Sequence, residues 1–239
     1  MLQKGDFIEI DFTGRVKDGE VFDSTIIEDL QKLHQGHDHP IVAKPFIFCI
    51  GAGMFLESID GFLAGKETGK TYEIELKPEQ AFGSRDPALI KMIPISVFSE
   101  QKINPVPGFT LNFDGRIGKI LTVSGGRVTV DFNHSLAGKT IDYKIIVLRR
   151  IEDINEKIKS LNEFFFRRDF KFEVIDKKLI LETDKHFSRV VSLFADKFKE
   201  LLGLDLEIKE TEEKKEETIE DGKSQIVQDR HHKKPQQFL

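Results

Sequence analysis

The chain of 239 residues has no tryptophan, two tyrosines, three methionines and a single cysteine. Nowhere does it carry a run of about 18 uncharged apolar residues, so no helical membrane span is expected. One cysteine excludes an internal disulfide, and Cys49 sits inside the apolar run "FIFCIG", where a buried, inert thiol is expected rather than a nucleophile. The amino-terminal "MLQKGDFIEIDF" has an acidic residue where a signal peptide would be apolar, and the chain is read as cytoplasmic. A net charge of -5 gives no cationic surface for phosphate backbones, so neither nucleic acid nor membrane is expected as a partner. Also missing is any nucleophile motif of the G-x-S-x-G kind.

What the chain has in excess is phenylalanine, 21 residues, which suits either extra core packing or grooves that grip apolar side chains. Ile8, Ile10 and Phe12 alternate with Glu9 and Asp11 as in a half-buried strand. Asp18 and Gly19 make a turn, "VFD" returns, and Thr25 followed by Glu28 has the spacing of a capping box that opens a short helix. "PFIFCIG" reads as a strand and "GAG" as a break. "MFLESIDGFLAG" then places Phe55, Ile59 and Phe62 on one helical face, with Gly65 as its stop. Tyr72, Ile74 and Leu76 alternate in a further strand, so a sheet wrapped on one short helix is expected.

From Gly83 the character changes. A proline-rich stretch precedes three short strand-like runs, "TLNFDG", "GKILTVS" and "GRVTVDF", which form a small separate β unit. "GKTIDYKIIVLRRIED" then resumes the first domain with Tyr143, Ile145 and Val147 on one side. Beyond Glu152 come a helix, a hairpin, a second helix over "KHFSRVVSLFADKFKELL" and an edge strand "LDLEIK", which together make an α+β carboxy-terminal domain. The tail from Lys209 onward is mixed charge without a core, and disorder is expected there. Phe164, Phe165 and Phe166 are consecutive on a helix, and no single face hides all three. Either the domain buries two faces or one face meets another subunit; a homodimer through this domain is the expectation taken.

"DFTG", "DGEVFDST", "KPFIFCIGAGMFLESIDGFLAG" and "KPEQAFG", in that order, resemble the FKBP-type peptidyl-prolyl cis-trans isomerases. The insertion that begins after "AFG" and closes with "VDFNHSLAGKTIDYKIIVL" is similar to the long, SlyD-like branch, whose extra unit is the insert-in-flap domain. The resemblance covers about the first 150 residues, and the whole chain looks like the larger archaeal FKBP chaperones. It implies an α+β fold: an antiparallel FKBP sheet on one short helix over 1–84 and 137–152, and an inserted chaperone domain over 85–136. To these the sequence adds the carboxy-terminal domain over 153–208 and the charged tail over 209–239. The implied activity is isomerisation of X-Pro bonds in unfolded or proline-containing polypeptides, with no cofactor and no metal.

By the same resemblance the catalytic residues are Asp23, Phe22, Phe46, Leu56 through its backbone N–H, Phe82 and Tyr143. Phe12, Phe48, Phe55 and Ile59 bind substrate beside them, and Asp23 orients the site rather than donating a proton. Phe12 and Phe82 stand where relatives have tyrosine, and Ile59 where many have tryptophan, so hydroxyl hydrogen bonds are missing and weak isomerase activity on small peptides is one outcome. In the insert, Ile90, Met92, Ile93, Ile95 and Phe98 are too many for so small a unit to bury, and Ile90, Met92, Ile93 and Phe98 are assigned to client binding. Two other readings stay open: a holdase with a vestigial pocket, and a metal-handling protein using His34, His37 and His39. Asp131 and His134 are read as a structural hydrogen bond at the domain junction, not a dyad.

Overall fold

A computed structural model describes residues 1–33 and 41–211. His34, His37, His39 and all but the first residues of the charged tail therefore lie outside the described part. In chain order the elements are β1 (Phe7–Val16), β2 (Val21–Ser24), α1 (Ile27–Leu33), β3 (Phe46–Cys49), α2 (Glu57–Leu63) and β4 (Lys70–Leu76). Next come β5 (Ile90–Pro94), α3 (Ile95–Glu100), β6 (Thr110–Phe113), β7 (Arg116–Ser124), β8 (Arg127–Asp131) and β9 (Ile141–Arg150). The last group is α4 (Ile154–Phe166), β10 (Phe172–Ile175), β11 (Lys178–Asp184), α5 (Lys185–Ser192), α6 (Ala195–Leu202) and β12 (Asp205–Thr211).

The first sheet has five strands in the order β2-β1-β9-β4, with β3 also on β1. Its alternation is the one the sequence shows: Ile141, Tyr143, Ile145 and Val147 are all buried along β9, and antiparallel pairing sets Ile74 opposite Tyr143. The β1–β2 turn closes through Gly19 N–H to the Val16 carbonyl at 2.8 Å, and Asp18 takes a left-handed φ of 55°. Thr25 does not cap α1 as its spacing suggests. Its hydroxyl donates to Asp11 at 2.8 Å and accepts the Phe12 N–H at 2.9 Å, while Ser24 Oγ accepts from Ile26 N–H. Tertiary bonds to β1 claim the group a local cap would have used.

The chain divides into two compact units, one of Met1–Glu9, Ile47–Thr68 and Arg149–Leu239, the other of Ile10–Phe46 and Gly69–Leu148. The division runs through β1, β3 and β9.

Within the second unit, the inserted segment is a four-stranded antiparallel sheet in the order β5-β8-β7-β6. It holds one strand and one helix, β5 and α3, more than the three runs read from the sequence, because the proline-rich stretch pairs Met92 with Thr129 and then turns helical after Pro94. Phe98, Ile120, Val128 and Val130 are its core. Phe98, assigned from sequence to client binding, is only 2% exposed and serves as packing, whereas Met92 is 67% exposed. Ile90 and Ile93 are half-buried.

In the first unit the carboxy-terminal segment is a three-stranded sheet, β10-β11-β12, with β12 parallel to β11. α4 starts at Asp153, whose side chain accepts the Asn155 N–H, and stops at Arg167 in the left-handed region. The long helix read from sequence is broken at Leu193–Phe194 into α5 and α6. Phe187 and Phe198 both pack on Phe166, with ring centroids 6.0 and 6.3 Å away. On one straight helix those two residues would lie roughly 16 Å apart along the axis, so the bend is what brings both to one ring. Phe194, at the bend, lies 4.8 Å from Phe165 and 5.1 Å from Phe166. The phenylalanine run is thus packed within the chain, and Phe164 stacks edge-on against Phe165. Phe166 is buried, while Phe164 and Phe165 stay half-buried.

Candidate functional site

β1, β2, β9 and the loop after β4 bring a group of aromatic rings together in the second unit. Phe22 is edge-on to both Phe82, at 5.8 Å, and Tyr143, at 5.9 Å. Phe12 lies 6.0 Å from Tyr143 and 6.3 Å from Phe46. Five of the residues assigned from sequence, Phe12, Phe22, Phe46, Phe82 and Tyr143, therefore form one connected cluster. Phe82 is placed by the short 3-10 turn Pro78–Gln80, whose Pro78 carbonyl accepts from both Ala81 and Gly83 N–H.

Two features of the cluster were not read from the sequence. A Cβ at Gly14 would stand 2.8 Å from Phe22 Cζ and 2.9 Å from Tyr143 Cε1, so the rings rest directly on β1 backbone. Glycine inside a strand is the signal for such an approach, and "DFTG" carried it. His134 is the second. Its imidazole stacks on Phe82 at 4.8 Å with an interplanar angle of 8°. Its Nδ1 accepts the Leu136 N–H at 3.2 Å. Asp131 is not its partner: Asp131 accepts from Asn133 and is paired with Arg85.

Asp23, opposite Gly14 in the β1–β2 register, is half-buried. Burial raises its pKa to about 6, opposed by the Ser24 N–H that donates to it. At neutral pH it is an anion beside apolar rings. Tyr143 is buried, and burial with the Asp23 charge nearby holds its phenol well above the usual range. Tyr143 is thereby kept from exchanging a proton near neutrality.

The other residues assigned to the isomerase pocket, Phe48, Phe55, Leu56 and Ile59, belong to the other unit. Phe48 and Ile59 are fully buried, and Phe55 packs on Phe48 at 5.7 Å. Leu56 stands at the start of α2 with extended backbone, its carbonyl accepting from Ile59 and Asp60 N–H. Its own N–H donates to no other group among the described residues. The loop before α2 is held by Asp60, which accepts from Gly51 and Gly53 N–H. Burial pushes Cys49 up to about 11, which suits an inert thiol. Among the described residues no group of three histidine, cysteine, aspartate or glutamate side chains is set to hold a metal, and no helix is long and apolar enough to cross a membrane.

Residues 1–98 match the family described as FKBP-type peptidyl-prolyl cis-trans isomerase, and residues 91–136 match the one described as FKBP26, IF domain. Neither match extends past residue 136. The short-type peptidyl-prolyl cis-trans isomerase of Methanocaldococcus jannaschii is 33% identical over 147 residues, which is 62% of this chain and 92% of that protein. The FKBP-type 16 kDa peptidyl-prolyl cis-trans isomerase of Escherichia coli is 30% identical over 151 residues, 62% and 92% of the two chains. The SlyD isomerase of Aeromonas hydrophila is 26% identical over 140 residues, 58% of this chain and 59% of that one.

Proposed function

This chain belongs to the FKBP-type peptidyl-prolyl cis-trans isomerase family, and on that premise we propose that it rotates X-Pro bonds of unfolded chains and holds those chains through its insert. The observation that carries the reading is the ring cluster of Phe12, Phe22, Phe46, Phe82 and Tyr143 beside Asp23. Rotation of a peptide bond loses resonance over a barrier of about 18–20 kcal/mol, and X-Pro is the bond with appreciable cis population. No nucleophile is needed. The twisted amide is less polar than the planar one, so dry rings with few fixed polar groups favour it over the ground state. Asp23 orients the site.

Refolding of a protein limited by proline isomerisation tests this directly. The parent chain speeds that phase in a catalytic amount and Asp23→Ala slows it. Equal rates for the two would favour a second reading, a holdase with a vestigial pocket. That reading draws on the insert, where Met92, Phe109 and Ile117 are exposed apolar side chains on one small sheet domain. Both readings take unfolded polypeptide as partner and the cytoplasm as compartment. The domain limits proposed are 1–84 with 137–152, 85–136 and 153–208. A homodimer is proposed through Val190 and Leu193, exposed at the end of α5; sedimentation at micromolar concentration gives the mass, and a monomer mass ends that proposal.

A further inference from the structure

The aromatic cluster is almost bare of hydrogen-bond donors. Four of its rings are phenylalanine, and the fifth, Tyr143, has its hydroxyl buried. Asp23, when ionised, is an acceptor and not a donor. A bound peptide, however, brings backbone carbonyls into this surface, and each gives up a hydrogen bond to water unless a donor replaces it. His134 is the ring that extends the cluster outward. One face lies on Phe82, which in turn packs on Phe22, while the residue as a whole is exposed.

The state of the imidazole follows from its partners. Nδ1 accepts the Leu136 N–H, so it carries no proton, and the neutral ring must hold its proton on Nε2. Partial burial keeps the pKa below that of a free imidazole, which maintains the neutral form at physiological pH. No partner for Nε2 is seen among the described residues. Leu136, buried two residues on, anchors the loop that presents the ring. The stack fixes the ring plane and the Leu136 bond fixes its rotation, so Nε2–H is held in one direction without a cost at binding.

We infer that His134 touches the substrate, its Nε2–H donating to a backbone carbonyl of the peptide whose proline lies against the Phe22–Phe82–Tyr143 rings. The inference rests on the isomerase reading of that cluster. A histidine here serves two ends at once: its flat face extends the apolar wall and its outer edge supplies the polar contact that phenylalanine lacks.

The test uses the full chain and a blocked tetrapeptide containing an X-Pro bond. His134→Phe keeps a ring for the stack and loses the donor; His134→Gln keeps a side-chain N–H and weakens the stack. His134→Phe is expected to lower kcat/KM about three- to tenfold, the value of one neutral hydrogen bond. His134→Gln stays within about twofold of the parent. With nitrogen-labelled histidine, the Nε2 resonance of the parent moves when peptide is added. Unchanged kcat/KM in His134→Phe, or equal losses in both variants with intact folding, overturns the inference. A parent chain without isomerase activity counts against the proposed function itself. The nitrogen resonance still decides the contact in that case, and a signal that peptide leaves in place ends the inference.

Discussion

At Gly14 the absence of one methyl group decides where two rings lie. Phe22 and Tyr143 both come closer to its backbone than a side chain allows, so Gly14→Ala must push one of them out of the cluster. Overpacking of this kind costs about 1–3 kcal/mol, and urea unfolding should show that loss together with slower catalysis of proline-limited refolding. Asp60 sets a second expectation. It is buried, its Oδ1 has no hydrogen-bond partner, and burial raises its pKa from 3.8 to about 6. Between those values the folded chain holds a proton that the unfolded chain releases, so its contribution to stability is present below that window and lost as pH rises through 6. Asp60→Asn removes the charge and should stabilise the fold by on the order of 1–3 kcal/mol near pH 8, with little difference near pH 4. Thermal unfolding at both pH values checks it; an equal shift at the two would show that the carboxylate charge is not the cause. Of the ring cluster, the phenylalanines and the neighbouring Asp23 are legible because ordered motifs carry them. His134 is not, since a stack between residues 82 and 134 leaves no local pattern.

Elements were read well where one period governs them and poorly where distant packing overrides it. The alternation of β1, β4 and β9 and the apolar face of α4 are in the sequence because each buries one side of itself. The break between α5 and α6 is not, because Leu193 and Phe194 include neither glycine nor proline, and the demand comes from Phe166 on another helix. On α4 a polar residue is left stranded. Asn162 on α4 is fully buried, and neither amide atom has a partner among the described residues. Asn162→Leu should therefore raise stability by about 1–3 kcal/mol, the desolvation cost of an unpaired group. Denaturant melts that show a loss instead would mean that the amide has a use in the native packing.

For the whole molecule, a cluster of prolines and a return to helical spacing set the expected limits of the insert and the carboxy-terminal domain, whereas the compact units each join one of these segments to parts of the first 150 residues. Their internal order needed the structure: β5 and α3 lie in a stretch whose prolines hide both. Deleting Arg85 to Asn133 should abolish assistance to refolding clients while leaving a folded isomerase body; deletion protein that assists as well as the parent would remove the insert from the proposed function. The junction holds the two ends of the insert together. Asp86 N–H donates to Asn133 Oδ1 and Asn133 Nδ2 donates back to the Asp86 carbonyl, while Gly138 N–H reaches Gly83. Entry and exit of the insert are thus clamped side by side, and the host chain meets the whole module as it would meet the tip of a hairpin. Loop closure, the usual entropic charge on a long insertion, is reduced to that of a short turn. A unit joined in this way should be portable, open to exchange between hosts or to rewriting of its exposed surface without redrawing the fold that carries it.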